Sequence, residues 1–374
     1  MYDDKFGKDI FMNRKDRIFL EIIVGLILLT GAVYFFVSDV KESVWPAGRI
    51  EVDSGQRVVM GTFARVAAVA MDEKSANRCV EAAHAEINKV DRLMSDYKPD
   101  SEISAINRDG FKRPVKVSEA TFEVLQRSVY FSKLTDGAFD VTVGPLVDLW
   151  HKAGEANSVP SEAELADARS RVGYDKLILD ANDMSVKFAV EGMRLDLGAI
   201  AKGYAVDKAV EAMQAGGALG GMVDIGGDIR CFGAPPRGKE KWRVGLRDSR
   251  AVKQGEQSSG LLMVLEVTDA AVVTSGDYER FVEVGGERYS PIINPTSGKG
   301  KGELSSVTII GKNTTSAWGR LTADVDAIAT AVSVMGVEEG LALIEATPDT
   351  EAILVTSAPE YRIIKSAGAD KFID

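Results

Sequence analysis

Apolar positions follow three kinds of pattern along this chain. The first is a solid run from Ile18 to Val37, IFLEIIVGLILLTGAVYFFV, whose single charge, Glu21, lies near its start. At about 1.5 Å rise per residue, such a helix reaches roughly 30 Å, the hydrocarbon thickness of a bilayer, and predicts one membrane span. The second pattern is spacing by three and four. Val80, Ala83, Ile87, Val90 and Met94 predict an amphipathic helix between Ser75 and Tyr97, with His84 on its polar side. Ser118 ahead of Phe122, Leu125 and Val129 predicts a second helix, and the capping box Ser161-x-x-Glu164 a third. Lys202–Gln214, closed by Gly216 and Gly217, and Thr322–Val334, ended by Gly336, predict two more. The third pattern is short β-branched runs. VVMGTFARVAAVAM from Val58 reads as a strand pair, KLILD and MSVKFAV around Ala181–Asp183 as a hairpin, Gly221–Ser290 as mainly β, and EAILV with YRIIK as a final pair. No internal repeat is visible. Strands and helices interleave without a regular βαβ cadence, which predicts an α+β fold with a mixed sheet. The expected organisation is a cytoplasmic segment 1–17, a transmembrane helix 18–37, a tether 38–57 and a globular body 58–374.

Charge orients this arrangement. Lys5, Lys8, Arg14, Lys15 and Arg17 precede the apolar run and only Lys41 and Arg49 follow it closely, so the N-terminus is expected in the cytoplasm and the body outside it. A cleavable signal peptide fits less well, because the run is long and SDVKESVW lacks a small-x-small site. The chain of 374 residues, 45% hydrophobic and 27% charged, otherwise has the composition of a soluble globular protein. A net charge of −11 repels phosphate polyanions, which argues against a nucleic-acid partner. Cys79 and Cys231 have no ligand-like spacing, so neither a disulfide framework nor a Cys-based zinc site is indicated. His84 and His151 are too few for a His-rich metal site or a Ser-His-Asp triad. A hard cation held by carboxylate, hydroxyl and backbone oxygens needs no histidine.

Four segments carry candidate chemistry. In ADVDAIATA (323–331), Asp326 and Thr330 share one helix face and can offer a carboxylate and a hydroxyl to one cation, although this spacing alone is more often a solvated face. In LDLGAIAKGYAVD (195–207), glycines, a helix start with free N–H groups and Lys202 suit a phosphate; a glycine-rich turn with Lys202 in solvent is the plain alternative. In DGAFDVTVGPLVDLW (136–150), Gly144-Pro145 forces a turn, and Phe139 and Trp150 either stack on a planar ring or belong to the core. DIGGD (224–228) sets paired glycines beside Asp224 and Asp228. There is no GxGxxG and no Walker loop.

Collinear with these, MGT (60–62), SDYKPDSEISAIN (95–107), GAFDVTVGPLV (137–147), LDLGAIAKGYAVD, DIGGD, TSGDYERF (274–281), NPTSG (294–298) and DAIATA (326–331) resemble the ApbE flavin transferases, from about Met60 to the C-terminus. The resemblance implies an ApbE-like body that takes FMN from FAD and attaches it to a Thr or Ser hydroxyl of a partner protein, Mg²⁺-dependent, with release of AMP. It implies FAD contacts at Met60, Tyr97, Ala138, Phe139, Asp140, Asp196 and Lys202, and Mg²⁺ held by the Ala199 main-chain oxygen with Asp326 and Thr330. The expected partners are FAD, a subunit of a membrane electron-transfer complex as acceptor, and the membrane itself through the N-terminal helix. The expected location is the inner membrane, with the body on the periplasmic side. One departure stands out: the family's His-Ile-Ile-Asp-Pro is Pro291-Ile292-Ile293-Asn294-Pro295 here, so the imidazole proposed as proton acceptor is missing. Three explanations stay open: Asp277 takes the proton as the catalytic base, no dedicated base is needed, or transfer is weak. A pyrophosphatase splitting FAD to FMN and AMP, or a non-catalytic membrane-tethered flavin-binding factor, would carry the same motifs.

A tethered body folds without its anchor. A chain lacking residues 1–44 is therefore expected to be soluble and to bind FAD as the full chain does in fluorescence titration; aggregation or lost binding would assign the apolar run to the core.

Overall fold

The computed structural model describes residues 45–248, 260–276, 281–300, 302–312, 321–357 and 359–374. The expected span 18–37 and the candidate base Asp277 lie outside them. Among the described residues no helix is long and apolar enough to cross a membrane. The chain divides into Met1–Ala47 and Gly48–Asp374, and the second unit holds all the elements below.

Its frame is an eight-stranded sheet in the order β1-β2-β6-β7-β10-β13-β14-β15. The strands are β1 (Ile50–Val59), β2 (Thr62–Ala70), β6 (Gly220–Ile225), β7 (Asp228–Gly233), β10 (Ala270–Gly276), β13 (Leu304–Lys312), β14 (Thr350–Thr356) and β15 (Ile363–Lys365). A three-stranded sheet joins β3 (Val115–Lys116), β5 (Ser185–Phe188) and β4 (Leu177–Asp180), while β8 (Trp242–Arg247) pairs with β9 (Leu261–Val267) and β11 (Val282–Val284) with β12 (Glu287–Tyr289). The helices are α1 (Glu73–Met94), α2 (Glu102–Asp109), α3 (Glu119–Leu134), α4 (Gly144–Ala156), α5 (Glu162–Ser170), α6 (Ala201–Ala215), α7 (Leu321–Met335) and α8 (Val337–Ala346). Helices α1, α6 and α7 pack on one face of the main sheet. Val66 and Ala68 of β2, Val223 and Ile225 of β6, and Val273 of β10 meet Ile87, Val210 and Ala329 in one buried core. Successive strand residues point to opposite faces, so the alternate positions Asp228 and Ser275 also face the helices.

The α+β reading and its principal elements stand. The hairpins form where the runs placed them: Met60 and Gly61, with φ of 51° and 67°, make the tight β1–β2 turn, and Asp180 pairs with Ser185 across the β4–β5 turn. Gly217, at φ 85°, takes the left-handed position after α6.

Four expectations change. The main sheet is not mixed: every pairing in it is antiparallel. The long helical insertion after β2 re-enters the sheet at the end where β2 left it, Val69 opposite Gly220, and this gives an antiparallel neighbour. The body starts earlier than residue 58, inside the stretch 38–57 expected as a tether, because β1 begins at Ile50 and the buried Arg49 donates from Nε to the Pro235 carbonyl at 2.9 Å. As an edge strand with most side chains in water, β1 is held by backbone pairing and leaves little hydrophobic trace. Helices α2, α4 and α8 went unpredicted, although Ser101 caps α2, Pro145 starts α4 and Glu338 and Glu339 open α8. His84, expected on the polar side of α1, is only 5% exposed, because β1 covers that flank of the helix.

Burial, with the positive Arg57 nearby and Glu81 opposing, lowers the His84 pKa below its usual 6.5. The unfolded chain therefore binds the proton first as pH falls through about 6.5, and stability declines with falling pH in that window. His84→Gln is expected to flatten this part of the pH dependence in urea unfolding between pH 7.5 and 5.5; parallel profiles for the two proteins would contradict it.

Candidate active site

Three of the sequence segments are stitched together by hydrogen bonds and ion pairs. The Asn107 side chain clamps Leu195, accepting from its N–H at 2.7 Å and donating to its carbonyl at 3.1 Å. The next residue, Asp196, donates its N–H to the Val141 carbonyl at 2.8 Å. Arg194 pairs with Asp96 at 2.7 Å and with Asp148, tying the Tyr97 segment and α4 to the same turn. Gly144 is required there, since a Cβ would lie 2.7 Å from the Arg194 carbonyl.

Helices α6 and α7 then exchange carboxylates. Asp207 of α6, fully buried, accepts from the Thr322 and Ala323 N–H groups at 3.0 Å and so caps the start of α7, while Arg230 of β7 pairs with it at 2.6 Å. Asp326, one turn along α7, accepts from the Gly203 N–H of α6 at 3.1 Å. Close approach demands Gly203, where a Cβ would sit 2.5 Å from the Thr322 carbonyl.

Lys202 lies inside this frame. Its ammonium pairs with Asp228 Oδ2 and stands 3.8 Å from Asp326 Oδ2. Both carboxylates are nearly inaccessible, at 1% and 2% exposure. Burial and the neighbouring Asp326 charge push the Asp228 carboxyl well above its usual range, with Lys202 opposing. Thr330, a further turn along α7, faces Ser275 of β10 with the hydroxyls 3.5 Å apart. A hollow of 60 Å³ lined by Ser275, Ser290, Ile292 and Asn294 brings the Pro291 loop to the same strand end. The larger cavity, 590 Å³, lies by Thr274 and Asp224 on the opposite face of the sheet, away from these groups.

The predicted residues divide on this geometry. Lys202, Asp326 and Thr330 gather at one place, with Ala199 on the turn leading into α6. Tyr97 is 77% exposed beside Asp96, and Asp196 is raised in pKa chiefly by burial, opposed by the Gly198 N–H. Met60 and Ala138 are half-buried in turns. Phe139 and Trp150 are not free to stack on a ligand. Phe139 meets Phe131 edge-on at 6.4 Å, and Trp150 packs on Tyr289 and donates from Nε1 to the Gly298 carbonyl at 2.7 Å. The Asp140 carboxylate is also spent internally, on the Thr142 N–H and hydroxyl and on the Tyr174 N–H, at 2.7–2.8 Å. Two helix-start N–H groups expected to be free are engaged, Ala201 with the Leu197 carbonyl and Gly203 with Asp326. Asn294 serves its own turn, accepting from Thr296 and Ser297 at 2.9 Å. Asp207 and Asn107 carry no role in the sequence reading, and Asp228 enters it only beside the paired glycines of 224–228; their polarity inside apolar motifs is the signal that marks them.

The donor set suits a hard cation. Among the described residues no three His, Cys, Asp or Glu side chains cluster as a metal site. The Asp326 carboxylate, the Thr330 hydroxyl and a main-chain oxygen are oxygen ligands of the kind Mg²⁺ accepts. Because the Gly203 N–H goes to Asp326, the Ala199 carbonyl lacks the helical donor four residues on. Asp228 Oδ1 is buried without a hydrogen-bond partner.

The ApbE family model matches residues 60–354. The FAD:protein FMN transferase of Vibrio cholerae is 34% identical over 294 residues, 77% of this chain and 82% of that relative. That of Treponema pallidum is 31% identical over 334 residues, 86% of this chain and 88% of the relative. Among solved structures, the ApbE protein of Thermotoga maritima aligns with a TM-score of 0.75 at 30% identity, covering 87% of this chain and 99% of its own. The flavin transferase ApbE of Vibrio cholerae gives 0.71 at 29% identity, with 87% and 100% covered.

Since Asp140 holds the Gly173–Tyr174 turn rather than reaching outward, Asp140→Ala is expected to destabilise the fold by about 1–3 kcal/mol in denaturant unfolding. Weakened flavin binding at unchanged stability would instead make its carboxylate a ligand contact.

Proposed function

The chain belongs to the ApbE family, and from that premise we propose that it is an FAD:protein FMN transferase, moving FMN from FAD to a Thr or Ser hydroxyl of an acceptor protein. The observation that carries this reading is the convergence of Lys202 of α6 with Asp326 and Thr330 of α7, beside the turn that holds Asp196.

Lys202 offers a positive charge for the FAD pyrophosphate, and its partial exposure, 25% of the side chain, leaves it reachable. Tyr97, exposed beside Asp96, offers a ring face to a planar group. Met60 and Ala138 contribute backbone at turns, and Phe139 and Asp140 support that wall from behind. The acceptor oxygen attacks the FMN-side phosphorus, its bond forms as the bond from that phosphorus to the AMP phosphate oxygen breaks, and AMP leaves. The hydroxyl proton passes to Asp277 or directly to solvent, since Pro291 has no side-chain acceptor and Asn294 is not a base near neutral pH. Positioning and charge stabilisation supply much of the rate in such a transfer, because the leaving group is a stabilised phosphate. Ala199, Asp326 and Thr330 would hold Mg²⁺, which when bound neutralises charge developing on the phosphate oxygens. The apolar run 18–37 and its basic flank support an anchor in the inner membrane with this body on the periplasmic side, facing an acceptor subunit of a membrane electron-transfer complex.

Incubation with FAD, Mg²⁺ and an acceptor domain is expected to add one FMN to the acceptor by intact mass, and Asp326→Ala to remove that product. AMP accumulating over an unmodified acceptor would mean hydrolysis, and bound FAD with neither product would mean a carrier.

A further inference from the structure

Asp228 opens β7 at 1% exposure, and its two oxygens are used unequally. Oδ2 takes the Lys202 ammonium, whereas Oδ1 is buried without a hydrogen-bond partner. Asp326, at 2% exposure, reaches the same ammonium at 3.8 Å and spends that oxygen on the Gly203 N–H. Two buried carboxylates thus share one positive charge. An unsatisfied buried acceptor is costly, and more so when it is charged, so native structures keep such a group where something else binds it. In its ionised form that oxygen, beside the second carboxylate, has the ligand character of a cation site.

We propose that Asp228 is a further ligand of the site's cation through Oδ1, and that Lys202 balances the two carboxylates until the cation arrives. The inference rests on the cation reading of Ala199, Asp326 and Thr330, to which it adds an oxygen from a different element. It also assigns Lys202 two successive partners: the carboxylates in the unloaded site, and the phosphates of FAD once a divalent charge has replaced the ammonium. A residue that merely anchored Lys202 would need only one satisfied oxygen, and the geometry gives Asp228 two with one to spare.

The test is calorimetric titration of the full-length protein in detergent with Mg²⁺, and separately with Mn²⁺, in the absence of FAD. Asp228→Asn, nearly isosteric, is expected to weaken cation binding by at least the roughly 10–100-fold lost when a group behind the ligands is removed. Lys202→Met is expected to tighten it, because a competing charge has gone. Unchanged cation affinity in Asp228→Asn overturns the proposal and leaves Asp228 as a holder of Lys202. Should Asp228→Asn fail to fold by circular dichroism, Lys202→Met decides, and equal or weaker binding there overturns it. A wild-type protein that binds neither ion overturns it together with the cation reading. Cation binding lost in Asp228→Asn, with no FMN transfer by the wild type, supports it and sinks only the transferase reading.

Discussion

The reciprocal exchange between α6 and α7 is the constraint on which the site depends. Asp207 caps α7 from within α6, and Asp326 of α7 accepts from the first turn of α6. The donor and acceptor on each helix are one turn apart, so the two contacts fix both the separation and the register of the pair. Gly203 permits the approach and Arg230 neutralises Asp207, which ties the pair to the sheet as well. Once this is set, the positions of Asp326 and Thr330 relative to Lys202 follow from helix geometry. A small shift of α7 would carry Asp326 and Thr330 away from Lys202.

The same closeness makes the site electrostatically demanding. Lys202, Asp228 and Asp326 lie where water screens little, and removing one charge from such a group exposes the others. The fold tolerates this arrangement because the surrounding frame is rigid: an antiparallel sheet below, three helices above, and small apolar residues filling the contact. A polyphosphate and a divalent ion are ligands whose charges match what such a site holds in reserve. The Pro291 loop borders the Ser275 end of the cluster without entering the ion pairs.

Several motif residues that look like ligands turn out to be architecture. Asn107 clamps Leu195, Asp140 holds the Tyr174 turn, and Phe139 and Trp150 fill core positions. They support the site by aligning the backbone of 137–147 with that of 195–198, so their presence in a motif reflects how tightly the wall must be built. Trp150, with its indole N–H bonded to Gly298, secures the NPTSG loop in the same way.

By itself the sequence determined the α+β class and most helices and hairpins, through three-four spacing, capping boxes and turn residues. It also marked Lys202, Asp326 and Thr330, whose roles came from the family resemblance and which the fold brings together. The apolar run 18–37 is likewise a local signal of length and hydrophobicity. The edge strand β1, the antiparallel pairing of the whole sheet and the burial of His84 were decided only by tertiary structure, because each depends on which segment arrives as a neighbour. So were the roles of Asp207 and Asp228. A lone aspartate in a chain carries no mark of whether its partner will be a helix N-terminus, an ammonium or nothing, and that choice is made by residues more than a hundred positions away for Asp207 and on another element for Asp228.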